Sequence, residues 1–318
     1  MKKRMKEYLF NKLEVKILKE IAKGNNTFYL LKKFLMIKPN LLSYNLKKLL
    51  QKRFIQVERK QKRLGKYVYF NSSKHAILLR DLLLKYDHIK WEDILSGLAI
   101  DVLFQMINRS EFTFKSFSKA TYWRYTRKLM SYGIIILSDD GSYEINPRFS
   151  LLKDFLMEYQ RSILENIVRS VSEGTVILWQ RDLECLIRLP KDINISQKGF
   201  MKTAISFFNE FNIPLVTDFS VYFYSPNKEK IRVEDVILHT LLIDRDNPRY
   251  TLYSLLLLKK QWRKIDKEYL LKEAQRLELS LLVNAMFQFL ETKGVRKVLM
   301  FPTWEEFVAK ADEYGVKV

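Results

Sequence analysis

Lysine and arginine side chains cluster in two short stretches near the amino terminus, and their chemistry is that of phosphate binding. One stretch contains the adjacent Lys47 and Lys48, and the other, residues 59–66, reads Arg-Lys-Gln-Lys-Arg-Leu-Gly-Lys. Ammonium and guanidinium groups donate charge-assisted hydrogen bonds to phosphate oxygens, and each neutralised phosphate releases counterions. The two stretches therefore predict a contact with a polyanion.

The net charge of the chain is concentrated around these two stretches. Residues 1–75 hold 21 Lys or Arg against 4 Asp or Glu and so carry +17 of the net charge of +20. Residues 76–150 carry +1 and residues 151–318 carry +2. Because like charges repel one another in a compact state, this crowding favours a binding role over a merely soluble, lysine-rich surface.

Three helices followed by two strands are predicted in this basic region. Apolar residues at helical spacing indicate a first helix from Lys6 to about Ile21 and a second after the Gly-Asn-Asn-Thr stop at 24–27. A third helix is predicted at about Asn40–Lys52, and strands at 54–58 and 67–70. One face of the third helix is expected to be apolar and to comprise Leu42, Leu46, Leu49 and Leu50.

This order of elements is that of a winged helix-turn-helix domain. A major groove about 12 Å wide admits one helix, and a basic hairpin beside that helix reaches the backbone phosphates. The predicted DNA-binding residues of the domain are Asn40, Ser43, Tyr44, Lys47, Lys48, Arg59, Lys60, Lys62, Arg63 and Lys66. Asn40, Ser43 and Tyr44 are expected to contact bases, since cations on phosphates position a protein without specifying sequence. The alternative is a winged helix used only for protein contacts.

A second copy of this domain is predicted about 80 residues further along the chain. Arg127-Lys128-Leu129 aligns with Lys47-Lys48-Leu49. The predicted elements are helices at Trp91–Ile107, Phe112–Phe117 and Lys119–Tyr132, and strands at Ile134–Ser138 and Tyr143–Ile145. Arg124, Arg127 and Lys128 are predicted to face outward and bind DNA, with Trp123 beside them.

The hairpin of the second copy has an acidic tip, Asp139-Asp140-Gly141-Ser142. Phosphates repel such a tip. We therefore expect the second domain either to lay its helix on DNA or to serve as a dimer or partner surface.

The rest of the chain predicts a long helix and then an α+β domain. The long helix begins at Pro147 and ends at about Val171. The predicted strands are Thr175–Trp179, Leu183–Leu189 and Phe219–Tyr224. The predicted helices are Gly199–Phe211, Val233–Leu242, Asn247–Lys260, Asp266–Leu277, Leu279–Lys293 and Thr303–Tyr314, the last with a capping box.

Two family resemblances follow from particular motifs. Residues 43–50 resemble the recognition helix of many prokaryotic winged-helix regulators. Residues 176–179, 220–226, 233–239 and 302–307 resemble an archaeal family in which winged-helix domains precede a nucleotidyltransferase-like domain. The second resemblance implies a Gly-Ser turn and paired carboxylates that bind Mg²⁺ in active members. Here Asp182-Leu183-Glu184 is the nearest candidate pair, on one face of a strand, and without that turn we expect a solvated strand face.

Other catalytic chemistry finds little support in the sequence. His75, His88 and His239 are too far apart for a zinc site, and His239 is expected to pack in a core. Cys185 is the single cysteine; it fits a reducing cytoplasm and is expected to be buried and inert. No catalytic residue, metal or cofactor is predicted. The apolar runs are too short to span a bilayer, so no membrane partner is predicted.

We therefore predict a mainly α fold with α+β character, made of tandem winged helix-turn-helix domains, a connecting long helix and a nucleotidyltransferase-like domain. The predicted boundaries are 1–75, 76–146, 147–172 and 173–318. The expected function is sequence-specific binding of double-stranded DNA by a cytoplasmic, non-enzymatic transcriptional regulator. The alternatives are a nucleotidyltransferase or toxin–antitoxin component, and a recruiter of a basal transcription factor. A homodimer is also left open.

Overall fold

The structure is a computed structural model that describes residues 8–59, 66–107, 118–139, 141–294 and 301–318. These residues are mainly helical with small antiparallel sheets, which confirms the predicted mixture of a mainly α fold with α+β character. The chain divides into an amino-terminal unit, Met1–Ile163, and a carboxyl-terminal unit, Leu164–Val318. No helix in the described ranges is both long and apolar enough to cross a membrane.

The amino-terminal unit begins with the predicted order of three helices and an antiparallel hairpin. These elements are α1 Lys12–Ala22, α2 Phe28–Leu35, α3 Pro39–Gln51, β1 Ile55–Arg59 and β2 Lys66–Phe70. The predicted first helix is interrupted among the described residues: Tyr8 is helical, residues 9–11 are not, and α1 begins after a capping box formed by Asn11 and Glu14. Phe10 therefore precedes the helix and forms a β-bridge with Ser96 instead.

Five further helices and a second hairpin follow among the described residues, and the last of these helices continues into the carboxyl-terminal unit. Their bounds are α4 Lys74–Lys85, α5 Trp91–Ile94, α6 Leu98–Ile107, α7 Lys119–Ser131, β3 Ile135–Leu137, β4 Tyr143–Ile145 and α8 Ser150–Arg169. The α4 helix was not predicted. The predicted helix at Phe112–Phe117 lies outside the described residues.

One predicted helix of this region is wrong as a continuous element. Residues 91–107 form two helices, α5 and α6, with a break at Leu95–Gly97. The Gly97 amide donates to the carbonyl oxygen of Phe10 at 2.9 Å, and Gly97 has a φ of 59°. Glycine reaches this left-handed conformation without steric cost. A tertiary hydrogen bond therefore interrupts the helical pattern.

The long helix α8 confirms the predicted connecting helix, and it spans the division between the units. A 3-10 turn at Pro147–Phe149 precedes it. Its first half belongs to the core of the amino-terminal unit, where the Tyr159 ring lies 4.9 Å from Phe54 and 5.7 Å from Phe155. This half of the helix is therefore a packing element rather than a free spacer.

The carboxyl-terminal unit is an antiparallel sheet covered by helices. The strands are β5 Val176–Arg181, β6 Glu184–Pro190, β7 Phe200–Lys202 and β8 Phe219–Tyr224, in the order β5-β6-β8-β7. The helices are α9 Val233–Ile243, α10 Pro248–Lys260, α11 Lys267–Arg276, α12 Ser280–Thr292 and α13 Trp304–Glu313. Thr303 and Glu306 form the predicted capping box of α13. The core joins sheet residues such as Phe223 to the helices.

The predicted helix at Gly199–Phe211 is only partly correct. Its first residues form strand β7, which pairs with β8, and a 3-10 helix at Ala204–Phe211 follows. Gly199 has a φ of +95°, and a Cβ atom there would lie 3.1 Å from the Tyr224 ring. Strand pairing and this close approach override the helical pattern of the segment.

A buried ion pair joins α1 to the residue that ends α3. The Nζ atom of Lys52 lies 2.9 Å from the carboxylate of Glu14, and both side chains are buried. The ammonium group also donates to the carbonyl oxygen of Leu9 at 2.9 Å. Burial lowers the pKa of Lys52, and the neighbouring carboxylate opposes that shift. The ammonium and carboxylate groups are each hydrogen-bonded to the other, so neither buried charge is compensated if its partner is removed.

Removal of one partner is therefore expected to destabilise the amino-terminal unit strongly. Glu14→Gln leaves a buried ammonium group without its counter-charge, which costs about 3–5 kcal/mol of unfolding free energy. Urea unfolding measures the total loss, and hydrogen exchange of residues 8–59 locates it. The matched control is Glu158→Gln, which breaks the exposed pair with Lys74 and is expected to cost at most about 1 kcal/mol. Equal losses in the two variants would contradict the expectation.

Candidate functional site

The outer face of α3 carries most of the side chains that were predicted to contact DNA. Asn40, Ser43, Tyr44 and Lys47 are exposed, and Lys48 is half-buried. The Nζ atom of Lys48 lies 4.6 Å from the centroid of the Tyr44 ring, a cation–π contact that steadies both side chains on the helix surface. Leu42, Leu46 and Leu49 are buried as predicted.

One position of the predicted apolar face is wrong. Leu50 is 40% exposed, whereas Asn45 is 1% exposed and takes a place in the buried stripe. The Asn45 amide donates to the carbonyl oxygen of Leu41 at 2.7 Å and accepts from the Asn11 side chain at 2.9 Å. These bonds satisfy a buried polar side chain and tie α3 to the amino terminus of α1. Asn45 lies at helical spacing from Leu42 and Leu49, which is a sequence signal for burial. We did not predict its burial because asparagine is polar.

Exposed apolar side chains lie next to the polar face of α3 and were missed by the sequence reasoning. Leu41 follows Asn40 on the helix and is exposed, as is Phe34 at the end of α2. Met36, between the two helices, is 91% exposed and has a φ of 49°. A methionine in the left-handed region costs free energy, and no burial compensates for it.

The β1–β2 hairpin is fastened beside α2. Thr27 forms a β-bridge with Tyr67, and the amide of Val68 donates to the carbonyl oxygen of Asn26 at 2.7 Å. Arg59 pairs in register with Lys66, whose side chain is exposed. The predicted cations Lys60, Lys62 and Arg63 lie outside the described residues, and for Arg59 only the backbone is described. Strand β2 is therefore held against the residues that immediately precede α2.

The predicted DNA-binding residues of α7 fall into two groups. Arg124 and Arg127 are exposed, whereas Lys128 is half-buried with its Nζ atom 3.5 Å from Asp93. Asp93 also lies 2.6 Å from Lys12, and the hydrogen bond from Lys12 is the main reason that the pKa of Asp93 is lowered. Asp93 thus engages Lys128 inside the unit. This contact was not predicted, because the two residues are far apart in sequence.

The candidate carboxylate pair of the carboxyl-terminal unit does not share a strand face, so that prediction is wrong. Asp182 lies in the turn between β5 and β6 with a φ of 55°, and burial raises its pKa to about 6. Glu184 begins β6, and its carboxylate lies 2.6 Å from the Nη1 atom of Arg276. No group of three or more potential metal ligands occurs within the described ranges.

His239 and Cys185 are buried packing residues, as predicted. The His239 ring is stacked on Phe223 with centroids 4.1 Å apart, and its Nδ1 atom lies 2.9 Å from the Thr203 hydroxyl. Burial lowers the pKa of His239 to about 3, so the ring is neutral at physiological pH. Burial also raises the pKa of Cys185 to about 12, which keeps it a thiol.

A buried polar network at the start of α9 was not predicted. The Asp235 carboxylate lies 2.5 Å from Lys228 Nζ and 2.8 Å from the Tyr269 hydroxyl, and it also accepts from the Arg232 amide. Each member thus has partners within the network. The network holds the loop between β8 and α9 against α11, which is a structural role.

Comparison with known proteins identifies one similarity, in the carboxyl-terminal unit. Residues 197–316 match a family model described as HVO_2833_C, C-terminal. The name is of an archaeal type, and the match includes residues 220–226, 233–239 and 302–307, which carried the archaeal resemblance. No curated protein and no solved structure matches the chain.

The low pKa of His239 predicts an acid-sensitive carboxyl-terminal unit. The unfolded chain binds a proton at this residue below about pH 6.5, but the folded unit does not until about pH 3. The stabilisation is complete above pH 6.5 and is lost as the pH falls toward 3, by about 3 kcal/mol at pH 4.5. In urea unfolding at pH 7 and 4.5, His239→Gln should lose correspondingly less stability than the wild type. His88→Gln, at an exposed histidine, is the control. If His239→Gln lost as much unfolding free energy between pH 7 and 4.5 as the wild type does, the lowered pKa of His239 would be contradicted.

Proposed function

We propose that the amino-terminal unit binds double-stranded DNA in a sequence-specific way and that the protein thereby regulates transcription. In this proposal α3 enters the major groove and the β1–β2 hairpin lies on the backbone, as in a winged helix. One observation carries the proposal: α3 buries Leu42, Leu46 and Leu49 and turns amide, hydroxyl and ammonium groups outward, in the part of the chain that holds most of the net charge.

Charge supports the proposal because it is both concentrated and available. Lys47 and Lys66 are exposed on the helix and the hairpin, respectively, and the interval 59–66 contributes Arg59, Lys60, Lys62 and Arg63. Lys52 contributes nothing to this surface, because Glu14 holds it in the core. Cations of this kind give the salt-dependent part of DNA affinity and steer association.

Sequence specificity is assigned to the amino-terminal half of α3. Asn40 and Ser43 are exposed there, and an asparagine side chain forms paired hydrogen bonds with the major-groove edge of adenine. Leu41 and the ring of Tyr44 are exposed beside them and offer a base an apolar surface. In the major groove an apolar side chain finds its complement in the C5-methyl group of thymine. We therefore infer a preference for A·T base pairs under α3.

For the carboxyl-terminal unit, in which only short sequence motifs resemble a nucleotidyltransferase-like domain, we propose a role without catalysis. Glu184 is engaged by Arg276, and Asp182 lies in the turn before β6 rather than on the strand. Two-metal phosphoryl transfer requires carboxylates that converge on the ions. The supporting observation is therefore the geometry of the candidate pair itself.

The salt dependence of DNA binding tests the role of the hairpin. Replacement of Lys60, Lys62 and Arg63 with alanine should weaken binding to all sequences and reduce the slope of log K against log salt by up to about three, since each lost phosphate contact removes about one. Fluorescence anisotropy with a labelled duplex measures the slope. Alanine at the exposed Arg263, Lys264 and Lys317 of the other unit changes the charge equally and is the control. An unchanged slope in the hairpin variant would remove the hairpin from the interface.

Removal of thymine methyl groups tests the base contacts of α3. In a duplex selected for tight binding, replacement of each thymine by uracil should identify positions where affinity falls about fourfold, as expected for about 0.8 kcal/mol per buried methyl group. Leu41→Ala should lose this sensitivity at one position and retain the salt slope of the wild type. If no uracil substitution alters wild-type affinity, the apolar side chains of α3 do not read thymine.

A further inference from the structure

The outer face of α7 carries large apolar side chains that the amino-terminal unit leaves exposed. Trp123, Arg127 and Met130 are spaced at i, i+4 and i+7, so they share one face of the helix. All three are exposed, and Trp123 is 48% exposed although tryptophan is usually buried. On the neighbouring hairpin Leu137 is 57% exposed.

Trp123 and Leu137 belong to one continuous surface, because Tyr143 lies between them. The Trp123 ring meets the Tyr143 ring edge-on, with centroids 5.9 Å apart and an interplanar angle of 88°. Tyr143 pairs directly with Leu137 across β3 and β4. We call the surface made by Trp123, Tyr143 and Leu137 the α7 patch. Exposed contiguous apolar surface of this kind marks an interaction site.

Charged residues of both signs lie on the same helix and hairpin as the α7 patch. Arg124 and Arg127 are exposed on α7, and no carboxylate among the described residues pairs with either of them. Asp139, two residues beyond Leu137, is also exposed and pairs with no described cation. Lys128 differs, because Asp93 engages it. The α7 patch thus runs from a helix that carries two exposed cations to a hairpin that carries an exposed acid.

Such a face is complementary to itself. A two-fold axis places each residue opposite a different residue of the second copy, so cations on one side can meet the acid of the other. Nucleic acid fits the face less well, since the tip of this hairpin is acidic in sequence and repels phosphates, whereas residues 59–66 of the first hairpin are basic. We propose that the α7 patch binds a second copy of this chain, with Trp123 and Leu137 at the centre and Arg124 and Arg127 paired with Asp139 of that copy.

The proposal does not depend on DNA binding, but it has a consequence for it. A two-fold dimer carries two α3 helices related by the same axis. The preferred DNA site of such a dimer is an inverted repeat.

Sedimentation equilibrium of the full chain tests the proposal. The wild type should dimerise, and Trp123→Ser should raise the dimer dissociation constant about 30-fold, as expected for a tryptophan at the centre of an interface. Leu137→Ser should also weaken the dimer, whereas the control Leu281→Ser, at an exposed leucine of the other unit, should leave it unchanged. Circular dichroism establishes that each variant is folded.

Charge exchange provides a second test at exposed side chains whose replacement leaves the core untouched. Asp139→Arg, and separately Arg124→Asp with Arg127→Asp, should each weaken dimerisation. The three changes together should restore it, because the pairs reform with reversed signs.

Three results would overturn the proposal. In the first, the wild type remains a monomer up to about 100 μM, a concentration at which a dimer with a dissociation constant of about 100 μM would be half formed. In the second, the dimer is insensitive to the changes at Trp123, Leu137 and the charges. In the third, Trp123→Ser reduces DNA affinity with the oligomeric state unchanged. The last result would assign the α7 patch to nucleic acid.

Discussion

The buried ion pair between Lys52 and Glu14 is the interaction on which the proposed DNA-binding face depends. It joins the first helix to the carboxyl-terminal end of α3, while the Asn11–Asn45 hydrogen bond joins the same two helices near the middle of α3. Two polar contacts therefore fix the rotation of α3 about its axis, and that rotation decides which side chains face outward. Apolar packing alone tolerates small rotations, whereas paired hydrogen-bonding geometry does not. Buried polar groups inside the unit thus determine which side chains of α3 face outward.

The elements of this region could be predicted from the sequence because their apolar spacing is regular. The leucines of α3 and the two strands of the hairpin show the periods of a helix and of strands without ambiguity. The exceptions are polar residues in buried positions. Asn45 and Lys52 look like surface residues by composition, and their burial depends on partners 34 and 38 residues away in sequence. Asp93 escaped prediction for the same reason, and it changes the role of Lys128.

Where the sequence misled, a tertiary contact had replaced a local preference. The helix predicted at residues 91–107 breaks where a backbone hydrogen bond from Gly97 to Phe10 is available, and the one at 199–211 gives way to a strand that β8 completes. Asp182 was placed on a strand because Asp-Leu-Glu alternates, yet the residue turns the chain between β5 and β6. The exposure of Leu41 and Leu137 could be found only from accessibility, since the sequence does not distinguish an apolar residue that is covered from one that is not.

The burial of Cys185 has a practical consequence for experiments on this chain. It is the single cysteine, and its thiol is both inaccessible and protonated in the folded unit. A thiol introduced at an exposed position of either unit would consequently be the reactive one in the folded protein, without any need to remove the native residue. Spin labels or fluorophores attached there would report local distances and environments from a background that is chemically silent.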